Sequence, residues 1–556
     1  MDKRYHIHYS FALLVVCLIG CNKSEPTSPP VVIPETFTNK AILINNMQRS
    51  SPAYNINFSP VIQLSFSANV NRASLPGGIT LKNSAGADIP YNAVYQNGDS
   101  TVILQPMLEP ITKYTLALTS NLKTQRNTSL VGTVGLDLIT HIDSTDKFPL
   151  ISDNALLDKV QQQTFKYFWD FGHPVSGMAR ERNTSGDLVT TGGTGFGVMA
   201  IVTAVDRNFI TRQQGAARIV KITDFLRNNC TRYHGAFAHW VNGASGVTIP
   251  FSANDNGADL VETSLLMEGL ITARQYFTSA DVTEVALRNN INALWNAVEW
   301  SWFQQNNQNA LYWHWSPDKT WTMNVTVSGW NEALITYVMG ASSATFPIPK
   351  IVYDNGWARN GAMKNNNTFF GHQLPLGPDL GGPLFFEHYS FLGINPFGLQ
   401  DAYANYQTQT INHTKINYEY CRANPKQWYG YSNLCWGLTA SDVPNSYNAN
   451  APGNNDIGVI SPTAAIASIP YTPTESMNAL KFFYYKLGNK LWGEYGFADA
   501  FSLKEPWFAT STLAIDQGPI IIMIENHRTG LLWNLFTSAP EIKAGLKSLG
   551  FTAPYL

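Results

Sequence analysis

Near residue 150 the apolar residues of this chain change their period, and that change limits the fold more than any other feature. Upstream they alternate. VIQLSF (61–66) puts Ile62, Leu64 and Phe66 on one side, TVILQ (101–105) pairs Val102 with Leu104, and YTLAL (114–118) groups Tyr114, Leu116 and Leu118. A period of two suits strands with one buried face, and turn-forming runs at 83–88 and 96–99 separate them. Short strands at such intervals predict a small all-β, immunoglobulin-like sandwich over 37–142. Downstream, apolar residues recur at helical spacing in 155–171, 195–207, 217–229, 259–277, 289–303, 329–341, 474–488 and 518–536. The Gly-, Pro- and Asn-rich connections between them are long. An all-α domain over 150–556, built as an α/α barrel rather than a bundle with tight turns, fits that pattern. All 15 Trp fall after residue 150, so the helical part carries the aromatic surface.

The chain begins as a targeting signal. Lys3 and Arg4 precede an apolar run, FALLVVCLIG (11–20), that is too short to span a bilayer. It ends Leu18-Ile19-Gly20-Cys21, the pattern of a bacterial lipoprotein, with 1–20 removed and Cys21 lipidated. Asn22 after the cysteine fits anchoring in the outer membrane of a Gram-negative bacterium, facing the periplasm or the outside. Residues 21–36 read as an extended, Pro-rich tether. Cys230, Cys421 and Cys435 remain; an oxidising envelope permits a Cys421–Cys435 bridge, with one thiol left over. Net charge is −2 with no basic stripe, which excludes nucleic acid as a partner. No His-Glu-x-x-His, Cys-x-x-Cys or P-loop occurs, so neither a metal nor a cofactor is expected. The run Gly192-Gly193-Thr194-Gly195-Phe196-Gly197 lacks the Lys-Ser/Thr of a phosphate cradle and reads as a tight loop before a helix. A monomer is expected.

The chemistry concentrates in FSANDNGADLVETSLLMEGLITARQYF (251–277). Asp255, Asp259 and Glu262 stand at i, i+4 and i+7, a spacing that stacks them on one face of a helix opening. No basic residue close by in sequence offsets them. Such acids either serve the helix dipole and its cap or act as general acids and bases, because like charges and burial spread their pKa values. Glu332, in GWNEALITYV, opens a later helix after a Trp-rich loop and is the second acid of interest. Glu525 sits in apolar surroundings and is expected to pair with an Arg such as Arg528. Asp516 is equally isolated, with pairing and function both open.

The loops mix aromatics, amides and acids. LYWHWSPD (311–318) offers Trp313 and His314, with Trp330 and Asn331 following. GGPLFFEHYSFLGINP (381–396) offers Glu387, His388 and Tyr389, and Trp436 lies in NPKQWYGYSNLCWGLTASD (424–442). Aromatic faces cover the C–H face of a sugar while amides and carboxylates take its hydroxyls. Any one of these Trp is as well explained as core, but so many beside Gly, Pro and Asn point to a saccharide surface.

At these blocks the chain resembles glycoside hydrolase family 144, the glucoamylase-like domain. TTGGTGFGVMAIV, DNGADLVETSLLMEGLITARQYF, LYWHWSPD, GWNEALITYVMGASS, GGPLFFEHYSFLGINP, CWGLTASD and AIDQGPIIIMIENHRTGLLW follow in order through the helical part. The resemblance implies an (α/α)6 barrel that hydrolyses β-1,2-glucan with inversion, by endo cleavage or by releasing sophorose from a chain end. It places the family's acids on Asp255, Asp259, Glu262 and Glu332, with Asp516 as a further substrate contact. An inverting enzyme sets its acid and base about 6.5–9.5 Å apart. Glu332 or Glu262 is the expected acid, Asp255 or its water the base, and Asp259 tunes its neighbours. The competing readings are the exo-acting enzyme and a non-catalytic glycan-binding lipoprotein. The clustered acids oppose the latter, since binding alone does not require them.

Overall fold

The computed structural model describes residues 36–556. The expected leader (1–20), Cys21 and all but the last residue of the expected tether (21–36) lie outside the described residues.

The β-rich region uses the predicted strands. β1 (Asn39–Ile44), β2 (Met47–Gln48), β3 (Ala53–Ile56), β4 (Ile62–Phe66), β5 (Ile79–Asn83), β6 (Tyr91–Gln96), β7 (Thr101–Pro106), β8 (Lys113–Leu118) and β9 (Val134–Thr140) form two sheets, ordered β2-β1-β4-β7-β6 and β3-β9-β8-β5. Their inward residues share one core: Ile62, Leu64, Val102 and Leu104 from the first sheet, and Leu81, Tyr114, Leu116, Leu118 and Leu138 from the second. The alternation seen in the sequence is this burial pattern.

The helical part contains α1 (Asp153–Trp169), α2 (Thr191–Asp206), α3 (Arg212–Asn228), α4 (Leu260–Tyr276), α5 (Val282–Ala297), α6 (Leu334–Ser342), α7 (Tyr406–Ala423), α8 (Pro462–Ala467), α9 (Pro473–Lys481), α10 (Ala514–Thr529), α11 (Leu531–Ser538) and α12 (Pro540–Leu549), besides shorter turns. α2 lies along α4 and along α10, α4 meets α6, and α8 meets α10. Between α6 and α8 sits the short-helix segment 384–391. Its Ser390 hydroxyl accepts from Ile335 N, and His388 bonds Ser468. The inner segments thus touch in succession, and the last touches the first. α2 and α4 are buried over almost their whole length, which explains their weak amphipathic pattern. α3, α5 and α12 keep one face in water.

The glycine run is not a loop. It forms the first two turns of α2 and is buried throughout. The reason is close packing: a Cβ on Gly195 would stand 2.2 Å from Leu265 O, and one on Gly269 would stand 2.1 Å from Gly195 O. Only hydrogens at both positions let the α2 and α4 backbones approach so nearly. The long apolar stretch at 518–536 is likewise two helices, α10 and α11, parted by Gly530 at φ 69°.

The two parts meet through aromatic contacts. Tyr54 stacks on Tyr429 at 5.0 Å and Phe148 on Tyr484 at 4.6 Å, while Lys147 N donates to Tyr485 O. Cys230, Cys421 and Cys435 are free and buried, so the permitted bridge is not made. Among the described residues, no helix is long and apolar enough to cross a membrane.

Candidate active site

The three acids of the opening motif do converge, though not by helical stacking. Helix α4 starts at Leu260, so Asp255 stands in the preceding loop and Asp259 is the N-cap, accepting from Glu262 N at 2.9 Å. Only Glu262 lies on the helix. The loop brings Asp255 in by folding on itself: Phe251 N donates to Asp255 O at 2.9 Å, and Asp255 N donates to the Ser252 hydroxyl. A two-residue ladder pairs Ala258 with Trp315 and Asp259 with His314. That ladder sets His314 Nε2 3.4 Å from Asp255 Oδ2 and 3.9 Å from Asp259 Oδ2. Glu332 joins from a turn just before α6 rather than from its first turn. Its backbone is held by Ser390, whose hydroxyl donates to Glu332 O.

These groups share one cleft of about 290 Å³. Asp255, Asp259, Glu262, Glu332, Trp313, His314 and Tyr389 line it. His239 and Phe251 line it too, and sequence reasoning missed both. His239 supplies the positive charge that the acidic segment lacked. Its Nδ1 lies 3.1 Å from Asp259 Oδ2 and its Nε2 3.9 Å from Glu262 Oε1. The signal lay in GAFAHWVN, where one histidine interrupts an apolar run, but nothing local ties it to acids further along the chain.

The electrostatics separate the four acids. Burial pushes Glu332 up to about 7, and Asp259 and Glu262 push the same way. Burial also lifts Asp255 to about 7; Asp259 and Glu262 add to the rise, while His239 draws it back. Glu262 is raised by burial, against His239 and a 2.7 Å hydrogen bond from Gly192 N. A Cβ on Gly192 would come within 2.7 Å of that carboxylate, so the glycine is what leaves the amide open to it. Asp259 alone is lowered, because the imidazoles outweigh its burial. His239 rises to about 9: burial lowers it, but Glu262 and Asp259 prevail. Burial lowers His314. The cleft therefore holds a fixed Asp259–His239 ion pair beside Asp255 and Glu332, which both exchange protons near neutrality. Such groups suit general acid–base chemistry. Asp255, Asp259 and His314 also bring donor atoms within 4.8 Å of one another, a geometry open to a cation that no sequence motif announces.

Other predicted site residues stand elsewhere. Trp330 is buried against Trp357, Phe391 and Tyr406, and its indole donates to Glu387 at 3.1 Å. Glu387 is fully buried, bonded to His413 and Gln409. His388 is buried on Ser468, with burial driving it down to about 3. Trp436 is core. Trp330 and Trp436 are buried for their apolar bulk, whereas Glu387 and His388 are buried because each has hydrogen-bond partners. Asn331 sits half-buried beside Glu332, and its side chain accepts from Ala333 N. Asp516 does not line the cleft. It is buried against Asp499, which accepts from Asp442 N, and burial raises Asp516 well above the usual carboxylate range. Glu525 is paired as expected, but with Arg207, at 2.6 and 2.8 Å; Arg528 bonds Asp158 and Gln161 instead.

Comparison with known proteins decides the family. A family model described as "Putative glucoamylase" matches residues 324–540. The crystal structure of a Bacteroides uniformis protein given the same description is 54% identical, with TM-score 0.72, covering 74% of this chain and 100% of that one. An endo-β-1,2-glucanase from Chitinophaga pinensis, solved with sophorotriose and glucose, is 50% identical over 73% of this chain and 100% of its own, with TM-score 0.72. The chain belongs to the glucoamylase-like glycoside hydrolase family 144. An exo β-1,2-glucooligosaccharide sophorohydrolase of Parabacteroides distasonis is 44% identical over 428 residues, 73% of this chain. The chain spans 59% of the length of that curated relative. In this family member, the acids in the cleft are the four that the resemblance singled out.

Proposed function

We propose that this chain is an inverting glycoside hydrolase that cuts β-1,2-glucan internally. The observation that carries this is the pair Glu332 and Asp255, each poised near pH 7 and facing one aromatic-lined cleft. Asp255 has imidazoles beside it, and His239 draws it toward the ionised form. Glu332 has no cation at its carboxyl and keeps its proton. Glu332 then protonates the leaving glycosidic oxygen, and Asp255 draws a proton from the attacking water on the other side of the sugar. Asp259, ionised between His239 and His314, holds the charge on His239 and lies within reach of both rings. Trp313 and Tyr389 offer faces for the glucosyl rings.

Similarity to β-1,2-glucan-active proteins supports the linkage, and the ring of inner helices supports the (α/α)6 barrel. Internal cutting is favoured because the cleft adjoins a further hollow, with His239 and Phe251 lining both. The 44% identity to the sophorohydrolase favours the second reading, release of sophorose from a chain end. The β-rich region acts as an immunoglobulin-like spacer on a monomer tethered through Cys21 to the outer membrane, a role supported by the lipoprotein-like start of the sequence. The experiment is a reducing-sugar assay on β-1,2-, β-1,3-, β-1,4- and β-1,6-glucans, with product sizing. Activity on the β-1,2 polymer alone with mixed oligomers is expected. Disaccharide alone selects the exo reading, and inactivity on every glucan refutes catalysis.

A further inference from the structure

The acid-bearing cleft is one of three adjoining hollows. Its wall at His239 and Phe251 is also the wall of a second, of about 370 Å³, which Arg182, Trp240 and Tyr447 help to line. Arg182 and Tyr447 in turn border a third, of about 550 Å³. The shared residues set the three hollows in a row, a trough whose first member holds Asp255 and Glu332.

Two features of this trough indicate its occupant. Its large aromatic rings are left open to water: Phe251 is 48% exposed and Tyr447 45% exposed. Phe251 is braced from behind by His239 at 4.3 Å and Trp240 at 4.7 Å. Tyr447 stands on a hairpin strand, Ser446–Ala449, paired with Ala440–Val443. Its arginine is already paired. Arg182 reaches Asp442 at 3.1 and 3.2 Å and Glu181 at 2.9 Å, so no cation is free to call for an anion. Exposed rings beside an arginine held by two carboxylates suit a neutral polyhydroxyl chain, which needs a stacking face together with both donors and acceptors.

We propose that the trough beyond Phe251 binds glucosyl residues remote from the bond being cut, with Tyr447 as their stacking platform, so that the enzyme selects long chains. This rests on the glucanase reading and adds a chain-length preference to it. Remote contacts of this kind raise kcat/KM only for substrates long enough to reach them.

The test compares kcat/KM on polymeric β-1,2-glucan with that on the shortest oligosaccharide the wild type cleaves. Tyr447→Ala is expected to lower the polymer-to-oligosaccharide ratio about three- to tenfold, the range one stacking contact supplies. Tyr447→Phe, which keeps the ring, is expected to hold the ratio within about twofold. Polymer binding to Glu332→Gln protein, with and without Tyr447→Ala, gives a second reading and is expected to weaken in step. A ratio unmoved by Tyr447→Ala, a parallel fall on both substrates, or an equal loss in Tyr447→Phe overturns the proposal while the wild-type activity leaves the glucanase reading standing. A wild type inactive on every glucan removes that reading and this one with it.

Discussion

Glu332 and Glu525 are both acids withdrawn from water in the helical domain, and they differ in what surrounds the carboxylate. Glu525 is clasped by Arg207, Gln161 and the Thr529 hydroxyl, and these hold it below its usual range despite burial. Glu332 has no cation at its carboxyl and rises to about 7. Both occupy apolar stretches of sequence. The contrast shows that burial alone does not mark a working acid; an uncompensated acid that also faces the cleft does, whereas Asp516, equally without a cation, is raised by burial outside it. Glu387, buried with His413, Gln409 and Trp330, falls on the structural side of the same line.

The sharpest way to break the contrast is by activity. Glu332→Gln is expected to lower kcat on β-1,2-glucan by about 10²–10⁴-fold, the range general acid catalysis supplies, and Asp255→Asn to fall in the same range. Glu525→Gln, which keeps the shape and most hydrogen bonds, is expected to change kcat by less than about threefold in folded protein. A loss below tenfold for Glu332→Gln, about 1.4 kcal/mol of barrier, breaks the assignment.

Stability should show the reverse order. Arg207→Ala strands Glu525 in the core, and removing one partner of a buried pair costs about 3–5 kcal/mol. Denaturant unfolding of the helical domain checks this. A change below about 1 kcal/mol would place Glu525 with Glu332 as an unpaired acid.

The pH profile of kcat/KM sharpens the comparison further. Asp255 must lose its proton to act, so activity falls as pH drops below about 7; Glu332 must keep its proton, so activity falls as pH climbs above about 7. The expected profile is a narrow bell near neutrality, each limb approaching tenfold per pH unit. Repeating it on the residual activity of Asp255→Asn should flatten the acidic limb and leave the alkaline one. A profile flat from pH 5 to 9 contradicts the pairing of roles.

Much of this was legible beforehand, for identifiable reasons. Strands β4, β7 and β8 declared themselves by alternation, because one face of each is buried. The helical windows were legible too, but their ends were not. Asp255 looked helical because spacing carries no record of where a helix starts, and the Asp259 cap was decided by contacts with Phe237 and Trp313. The glycine run looked like a loop because glycine's packing role, the close approach of α2 to α4, exists only once both helices are present. His239 and Phe251 were missed because partners distant in sequence leave no periodic trace. Trp330, Glu387, His388 and Trp436 read as saccharide surface from composition, which does not say which way a side chain faces; all four are buried.

The smallest expected effect follows from the same asymmetry. Glu332 titrates near 4.5 in the unfolded chain and about 7 in the folded one. A raised carboxyl keeps its proton longer in the native state, so the native state binds more protons between those values and stability declines as pH rises through that window. Above pH 7 the fold carries the cost of a charge without a partner. The shift corresponds to about 3 kcal/mol, and water reaching the half-buried group reduces it to about 1. Glu332→Gln removes the titration, so the variant is expected to unfold about 1–2 °C above wild type at pH 8 and level with it near pH 4. Glu525 predicts the opposite sign. Its lowered pKa contributes stability above the unfolded value, lost as pH falls, so Glu525→Gln should cost stability at pH 8. Thermal melts of the two variants at pH 4 and pH 8 measure both signs at once. The same sign for both would mean that the two acids are held alike, and that Glu332 has a partner too.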